Sequence, residues 1–354
     1  MNKVLGCLLI TLASVPVLPG AAWAQVYPER IVIKEKTRVV SSAYQRRNRD
    51  DQNREEQTER ITKTLKLGSD GSLALGNIAG DIVVTRGSGS DTTIEIVKTA
   101  RGRDAADAKE LLQLVDVEVN ERNGRAEVKT HYPSDDTARR NNRRNVNVSV
   151  DYTVTTPAGT RVSIESISGD LKVTDIKGDL SANTISGDIR VSGAGRISAA
   201  KTISGSVEIV DAQVDGTLDS SSVSGDVLVR HVTARRIDVG SVSGNLRLED
   251  VQCDSAAAHS TSGNVTFSGP LARKGRYELK SFSGEIRVSV PSTSGFEVEA
   301  NSFSGQIRTE MPIQTHGTDS RSGRRNTVLN GTFGDGSAVL DLTTFSGSIV
   351  IAKK

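Results

Sequence analysis

One short phrase recurs through the C-terminal part of the chain at a nearly constant interval. Its clearest copy is Ile185–Val191, which has the sequence Ile-Ser-Gly-Asp-Ile-Arg-Val. From Gly169 to Gly305 the glycines of successive copies lie 18 to 21 residues apart, and Gly347 follows after 42 residues, or two such steps. A fixed interval of this size is typical of a solenoid, in which each copy adds one rung to a stack.

The residues around each glycine alternate between apolar and polar types. The positions two before, two after and four after the glycine are mostly β-branched, aliphatic or aromatic, which predicts strands with one buried face. This alternation places the glycine itself in the inward set, as a corner where the backbone bends. The position two before the glycine is therefore predicted to form an interior column, which comprises Ile167, Ile185, Ile203, Val223, Val242, Thr261, Phe282, Phe303 and Phe345.

Equivalent strands of successive rungs are predicted to pair in parallel, about 4.8 Å apart. Turn signals fall within each repeat, whereas a hairpin array would place them between neighbouring strands. All six phenylalanines lie from Phe267 onward, where the interval lengthens, which predicts wider rungs filled by larger side chains. We therefore predict an all-β fold, a single-chain parallel β-helix with two or three strands per rung over residues 161–354, interrupted by a loop at 312–326.

The first 24 residues have the features of a secretory signal peptide. Lys3 gives a positive start, an apolar run follows, and Ala22-Trp23-Ala24 resembles a cleavage site. No second apolar run of membrane-spanning length follows, so we predict an exported protein, periplasmic or at the cell surface, without a transmembrane segment in its mature chain. The mature chain would keep Cys253 alone, as a small buried hydrophobe or as a reactive thiol.

Two further segments precede the repeats. Residues 25–60 are rich in charge and poor in apolar residues, which predicts a disordered leader. Residues 61–160 are predicted to form an N-terminal, β-rich cap over the first rung, with a basic loop at 134–145. The cap should contain one short helix over residues 105–114, because Asp104 is a good N-terminal capping residue.

Acidic residues after the glycine are the strongest candidates for chemistry. Asp170 and Asp188, one rung apart, would lie about 5 Å apart, as the carboxylates of retaining glycosidases do. Their basic neighbours Lys172 and Arg190 favour a solvated ladder of ion pairs instead. A calcium site is disfavoured because the Asp becomes Ser, Asn or Gln in later copies. We found no motif of a known catalytic or metal site, so no catalytic residue, metal or cofactor is predicted.

Basic residues supply the one binding surface that the sequence predicts. Arginines recur three positions after the glycine, and four more lie in the loop at 134–145. They are suited to bind anionic glycans or other anionic envelope components. The net charge of +2 argues against dedicated nucleic-acid binding. The candidate surface comprises Arg139, Arg140, Arg143, Arg144, Arg190, Arg247, Arg287 and Arg308.

Several of these phrases resemble a known bacterial family. The similar segments are Gly76–Ile82, Val150–Val154 with the following Pro157-Ala158-Gly159, and the Ser-Gly-Asp or Ser-Gly-Asn rungs. The family is labelled "putative adhesin" and catalogued as domain of unknown function 4097. The resemblance covers roughly residues 64–354. It implies a β-solenoid located in the cell envelope, and it brings no catalytic motif.

These features predict a non-enzymatic, exported β-solenoid that acts as a binding or structural module in the cell envelope, in the manner of an adhesin. Two alternatives stay open. A polysaccharide-active enzyme on the same architecture would need a cleft with converging carboxylates beside the loop at 134–145 or at 312–326. An accessory role in envelope stress sensing is the other alternative.

Overall fold

Two strands per repeat build two long sheets that enclose the core between them. The structure, a computed structural model, describes residues 54–133, 146–315 and 327–354. In each repeat except that of Gly305, where the strand ends at Ser302, the longer strand ends at the serine before the recurring glycine, and a shorter strand follows the glycine. The longer strands lie in a 14-stranded sheet, called here the pre-glycine sheet, and the shorter strands lie in a 13-stranded sheet, the post-glycine sheet.

The elements before the repeats are β1 (Glu55–Leu65), β2 (Ser72–Ala79), β3 (Ile82–Arg86), β4 (Thr92–Gly102), α1 (Ala105–Leu114), β5 (Asp116–Arg122), β6 (Arg125–His131) and β7 (Val148–Thr156). The repeats follow as β8 (Arg161–Ser168), β9 (Leu171–Thr174), β10 (Asp179–Ser186), β11 (Ile189–Ser192), β12 (Arg196–Ser204), β13 (Val207–Val210), β14 (Gln213–Ser224), β15 (Val227–Arg230), β16 (Thr233–Ser243), β17 (Leu246–Glu249), β18 (Gln252–Ser262) and β19 (Val265–Ser268). The last elements are β20 (Arg276–Ser283), β21 (Ile286–Val290), β22 (Phe296–Ser302), β23 (Ile307–Thr309), β24 (Gln314–Thr315), β25 (Val328–Phe333), β26 (Ala338–Ser346) and β27 (Ile349–Lys353).

Successive repeats stack in parallel and in register, which confirms the predicted β-helix. Ile189 pairs with Leu171 on one side and with Val207 on the other. In the pre-glycine sheet Ser186 likewise pairs with both Ser168 and Ser204. Around each glycine, a residue therefore lies directly above its equivalent in the previous rung, so that a sequence position becomes a column along the solenoid.

The N-terminal elements supply one rung and a cap. Strands β2 and β3 pair in parallel with β8 and β9, and therefore form the first rung, around Gly80. Strands β4 and β7 pair antiparallel, and so do β5 and β6, which a hairpin at Asn123 and Gly124 connects. Helix α1 begins where predicted, because the Asp104 side chain accepts a hydrogen bond of 2.8 Å from the backbone N–H of Asp107.

The predicted disordered leader is wrong at its C-terminal end. Residues Glu55–Leu65 form strand β1, which pairs antiparallel with β4 although most of its side chains are exposed. Cross-strand ion pairs accompany this pairing: Glu59 lies 2.6 Å from Lys98, and Glu56 lies 3.0 Å from Arg101. The predicted signal peptide, the rest of the leader, the loop at 134–145 and most of the loop at 312–326 lie outside the described residues.

The last two rungs do not stack in chain order. Strand β26 lies between β20 and β22, and β27 lies between β21 and β23. The rung of Gly347 is therefore inserted between the rungs of Gly284 and Gly305. The interval of 42 residues contains β23, which completes the outer rung, and the antiparallel strands β24 and β25, which precede the inserted strand β26.

The core contains the columns two and four positions after the glycine, as predicted. Every member of these columns is buried except Thr309. Phe267 and Tyr277 add an edge-to-face contact with ring centroids 5.3 Å apart. The confirmed core columns comprise Leu171, Ile189, Val207, Val227, Leu246, Val265, Ile286, Ile307, Ile349, Val173, Val191, Ile209, Val229, Leu248, Phe267, Val288 and Ile351.

The predicted interior column two positions before the glycine is wrong, because this column faces solvent. Ile185, Ile203 and Val223 are each about half exposed, although they lie in adjacent rungs as predicted. The inward positions of the pre-glycine strand are instead three and five before the glycine. The chain bends at the glycine, so the alternation does not continue through it. The wider C-terminal rungs are consequently not filled by Phe282, Phe303 and Phe345.

Small hydroxyl residues occupy the inward column three positions before the glycine. The Ser222 hydroxyl donates a hydrogen bond of 2.8 Å to the carbonyl oxygen of Gly205, in the previous rung. The same bond recurs from Thr202, Ser241, Ser260, Ser281, Ser302 and Thr344 to the glycine carbonyl of the adjacent rung. These side chains look like surface residues in the sequence, but seven of the nine satisfy backbone carbonyls at the buried corners. Among the described residues, the Ser166 and Thr184 hydroxyls have no hydrogen-bond partner.

We expect Ser222→Ala to destabilise the protein and Ser220→Ala to leave its stability unchanged or raise it. Both serines are buried in β14, but among the described residues the Ser220 hydroxyl has no hydrogen-bond partner. Removing the Ser222 hydroxyl leaves the Gly205 carbonyl unsatisfied, which costs about 1–3 kcal/mol. Urea denaturation followed by circular dichroism measures both changes. Equal destabilisation by the two substitutions would contradict the hydrogen-bond assignment.

We expect Cys253 to be unreactive in the folded protein. Its side chain is buried, and this burial raises the pKa of the thiol to about 12, with a smaller contribution from Asp254. At pH 8 the thiol is therefore protonated, whereas the thiolate is the nucleophile. In a chain that begins at Gln25, Cys253 is the only cysteine. Such a chain should react with a maleimide only after denaturation, and complete labelling of the native protein would contradict this expectation.

Candidate functional site

The recurring glycines fix the position of the outer surface because no other residue fits at the corner. Gly187 has a φ of +149°, and a Cβ atom at this position would lie 2.1 Å from the carbonyl oxygen of Gly169. The N–H of Gly169 donates a hydrogen bond of 3.0 Å to the carbonyl oxygen of Ser186. Equivalent close approaches recur at each later rung. The corners therefore stack backbone against backbone, and the side chains before them form straight columns.

The acidic residues after the glycine have a structural role. The backbone N–H of Asp188 donates a hydrogen bond of 2.9 Å to Oδ1 of Asp170, and the N–H of Ser206 donates one of 2.9 Å to Oδ1 of Asp188. Asn264 and Asn245 continue the pattern with a bond of 3.0 Å. Asp and Asn both supply the required acceptor oxygen. The recurring Ser-Gly-Asp phrase is thus explained by backbone hydrogen bonding between rungs.

The main surface feature is the column two positions before the glycine, here called the apolar ridge. It runs across ten rungs of the pre-glycine sheet, a length of about 43 Å at the spacing of paired strands. Its aliphatic and aromatic members from Ile167 onward are 45–75% exposed. In spatial order the ridge comprises Ile78, Ile167, Ile185, Ile203, Val223, Val242, Thr261, Phe282, Phe345 and Phe303.

Three phenylalanines form the C-terminal end of the ridge. The rings of Phe282 and Phe345 are parallel within 1°, with centroids 4.9 Å apart. Phe345 and Phe303 are stacked with centroids 4.7 Å apart and an interplanar angle of 7°. Each ring covers the face of the next, so the stack presents ring edges to solvent. Phe303 is the outermost and the most exposed, at 75%.

The flanks of the ridge are polar and carry few charges. On the side of the corner lies a column of exposed serines, one immediately before each repeat glycine. On the other side, four positions before the glycine, small or uncharged residues alternate with Glu165, Lys201, His259 and Lys280. Lys201 and Lys280 form ion pairs with Asp219 and Glu278. The ridge is therefore a narrow apolar band between polar borders.

Shallow recesses adjoin this face. One, of about 360 Å³, lies at the N-terminal end of the ridge and is lined by Asn77, Ile78, Glu165 and Ile167 among others. Another, of about 340 Å³, lies at Gly240, which leaves a gap in the column of side chains four positions before the glycine. Among residues 54–133, 146–315 and 327–354, no cluster of His, Cys, Asp and Glu is arranged to hold a metal ion. Both recesses are open depressions of the same face.

The arginines three positions after the glycine are separated along the post-glycine sheet. Glu208 and Leu228 lie between Arg190 and Arg247. Thr266 separates Arg247 from Arg287. Val350 lies between Arg287 and Arg308, because the rung of Gly347 is inserted there. The structure therefore places the four arginines in one column without bringing any two of them into adjacent rungs.

Three of these arginines are paired with carboxylates. The Arg190 guanidinium lies 2.8 Å from Asp188, and Arg247 lies 3.0 Å from Asp226. Arg287 lies 2.9 Å from Glu285, and Arg308 donates a hydrogen bond of 3.0 Å to Gln306. An anionic ligand would have to compete with these carboxylates. The other four candidates, Arg139, Arg140, Arg143 and Arg144, lie outside the described residues, so anion binding stays a prediction.

Sequence reasoning missed the ridge, although one signal for it was present. Every repeat has Ser or Thr three positions before the glycine, immediately before the exposed apolar residue. A regular surface position would tolerate Lys, Glu or Gln, which are absent from this column. The restriction to small hydroxyl residues indicates burial, and it would have assigned the neighbouring apolar residues to the outside.

Comparisons with known proteins give one family match and distant similarities to solved structures. Residues 177–352 match a family model described as Toastrack DUF4097. A protein named "putative adhesin" from Bacteroides fragilis is similar at 16% identity and a TM-score of 0.42, and another of that name from Parabacteroides distasonis at 10% identity and a TM-score of 0.43. Each of these two comparisons covers 84% of this chain and 97% of the other. No curated protein matches the chain.

Two further observations concern membrane-spanning helices and the extent of the family match. Over the ranges that the structure describes, no helix has the length and apolar character needed to cross a membrane. The family match covers the repeats that build both sheets and most of the apolar ridge. Through residues 177–352 of this solenoid, the chain matches the Toastrack family, which is catalogued as domain of unknown function 4097.

Proposed function

We propose that this protein is a non-enzymatic, adhesin-like binding module of the cell envelope and that the apolar ridge is its contact surface. The exposure of the ridge is the observation that supports this function most strongly. Eight of its side chains, each exposing on the order of 100 Å², present roughly 800 Å² of apolar surface. The largest apolar patch of a typical monomer is about 300–600 Å², and larger patches mark interaction sites.

The ridge is also rigid, which favours recognition. Glycine corners recur along the ridge, and at seven rungs a hydroxyl hydrogen bond beside it also fixes the backbone. A surface that is ordered before binding loses little conformational entropy when a partner docks. The predicted signal peptide would deliver this surface to the envelope, where adhesin-like proteins act.

The chemistry of the ridge favours binding over reaction. Its ten members include no acid, base or cysteine. The nearest recurring carboxylates, such as Asp170 and Asp188, accept backbone hydrogen bonds from the next rung. General acid or base catalysis needs a positioned titratable group, and covalent catalysis needs an activated nucleophile. A long apolar contact surface is the simplest use of this arrangement.

Co-sedimentation with envelopes isolated from producing cells tests the proposal. The ridge variant carries Ile185→Ser, Ile203→Ser and Val223→Ser, and we expect it to bind at least ~10-fold less than the wild type, because each change removes up to about 1.5–3 kcal/mol of apolar burial. The matched control is the arginine variant, with Arg190→Ser, Arg247→Ser and Arg287→Ser on the other sheet.

The two variants separate the two predicted surfaces. Loss of binding in the ridge variant with retention in the arginine variant is the expected result. If the ridge variant binds envelopes as well as the wild type does, the proposal is contradicted. Loss in the arginine variant alone would instead support the anionic ligand that the sequence suggested. Neither variant should change the urea midpoint by much, since all six side chains are at least partly exposed and surface ion pairs contribute little.

A further inference from the structure

We infer that the partner of the apolar ridge is the ridge of a second copy of this chain, packed antiparallel; this inference rests on the proposed function and specifies its partner. The area is the first reason. A standard protein interface buries about 800 Å² on each partner. The ridge presents roughly that area by the same estimate of exposed side chains. Two ridges therefore suffice for a stable pair without any other contact.

The repeat distance is the second reason. The side chains of the ridge recur at the strand spacing of about 4.8 Å along a straight column. A second ridge has the same period by construction, so its side chains can enter the gaps between rungs at every step. Paired sheets with matching periods form dry interdigitated interfaces in this way. A partner with another period would match the ridge at only a few positions.

The order of side chains along the ridge favours the antiparallel arrangement. Isoleucines occupy its N-terminal rungs, Val223 and Val242 its centre, and phenylalanines its C-terminal rungs. A twofold axis near the two valines places each phenylalanine opposite an isoleucine. The parallel arrangement would set phenylalanine against phenylalanine at one end and leave a gap elsewhere. Isologous twofold pairs are also the commonest form of oligomer.

Other occupants fit the chemistry less well. Sugars stack on the faces of aromatic rings, but here Phe345 has both faces covered and Phe282 and Phe303 each have one face covered. Proteins that lie on bilayers carry Lys, Arg, Trp or Tyr beside the apolar residues. In the described part of the chain, the borders of the ridge contain uncharged serines on one side and only scattered charges on the other. Serine borders suit a twofold pair, since they bring no like charges together.

Sedimentation velocity of the chain from Gln25 to Lys354, at 0.5–100 µM, tests the inference. We expect the wild type and the arginine variant to sediment with the mass of two chains. The ridge variant should be monomeric, with dimer affinity at least ~100-fold weaker, because the substitutions remove three apolar side chains from the interface in each copy. A single Val223→Cys substitution in a Cys253→Ala background should form a disulfide-linked dimer under mild oxidation, since Val223 is exposed and lies near the axis of the inferred pair.

Two results would overturn the inference. The first is a wild type that stays monomeric at 100 µM, and the second is a ridge variant that dimerises as the wild type does. Envelopes from cells that lack the gene provide a further test, because they hold no second copy for the ridge to bind. Binding of the wild-type protein to such envelopes would also contradict the inference.

The failures of the two proposals are distinguishable. If a monomeric wild type binds envelopes or vesicles of phosphatidylethanolamine and phosphatidylglycerol through the ridge, the proposed function stands and the second copy is refuted. If the wild type dimerises through the ridge, but the ridge variant binds envelopes as well as the wild type does, the inferred dimer stands and the proposed function is refuted. If the ridge variant matches the wild type in every assay, both are refuted.

Discussion

Gly187→Ala should strongly destabilise the solenoid, whereas Gly240→Ala should be tolerated. At Gly187 a methyl group would lie 2.1 Å from the carbonyl oxygen of Gly169, and the φ of +149° is itself unfavourable for alanine. Strain of this kind and forced overpacking cost about 1–3 kcal/mol each. At Gly240 the nearest atoms to a new methyl group are 3.8 Å and 3.9 Å away.

Urea denaturation and the yield of soluble protein measure this difference. We expect Gly187→Ala to lose roughly 3–5 kcal/mol of unfolding free energy. Gly240→Ala should change it by less than about 1 kcal/mol, in the stabilising direction, because glycine weakens a strand relative to alanine. The solenoid depends on contacts between neighbouring rungs, so a single disturbed corner affects the rungs on both sides. Equal tolerance at both glycines would contradict the packing of the corners.

Phe267→Ala should destabilise the protein far more than Phe303→Ala. Phe267 is fully buried and makes an edge-to-face contact with Tyr277, whereas Phe303 is 75% exposed at the end of the ridge. Truncating a buried phenylalanine costs about 3–5 kcal/mol. Truncating Phe303 removes mainly one stacking contact, with Phe345, which is worth about 0.5–1.5 kcal/mol.

Thermal and urea unfolding of the two variants give the comparison. A difference of at least about 2 kcal/mol is expected, in the direction that assigns Phe267 to the core. Similar losses at both positions would mean that Phe303 is buried, as the alternation in the sequence had suggested. The pair therefore tests the assignment of inside and outside at the wide end of the solenoid, without any need for a ligand.

The solenoid could be predicted because its signal is redundant. Each of nine repeat glycines is followed at two and four positions by residues of the same kind, and nearly all of these proved to be buried. Helix α1 was predictable for a local reason, since Asp104 can cap its first turn. Both predictions rest on interactions within a few residues or on a pattern repeated many times.

The ridge could not be predicted from alternation, because alternation has no marker for a bend. The sequence Ile-Ser-Gly-Asp-Ile has apolar residues at both ends, and a straight strand would place Ile185 and Ile189 on the same face. The structure places Ile189 inside and Ile185 outside. The deciding contact is between Gly187 and Gly169, in different rungs, and it is visible only once the rungs are stacked.

The exchanged order of the last rungs was hidden for another reason. An interval of 42 residues between Gly305 and Gly347 fits two sequential rungs, and it equally fits an outer rung followed by an insertion. Strand β1 was missed because its stability comes from pairing with β4 and not from burial of its own side chains. Pairing partners that are distant in the sequence leave no mark on local composition.

The most direct test of the central claim is the labelling of single cysteines at the adjacent positions Thr202 and Ile203. In a chain that begins at Gln25 and carries Cys253→Ala, Thr202→Cys faces the interior and Ile203→Cys lies on the ridge. Reaction with a polar maleimide at pH 7 should be at least ~10-fold faster at position 203, because exposure governs the access of the reagent. Faster reaction at position 202, with protection at 203, would place the ridge inside the solenoid and contradict the account.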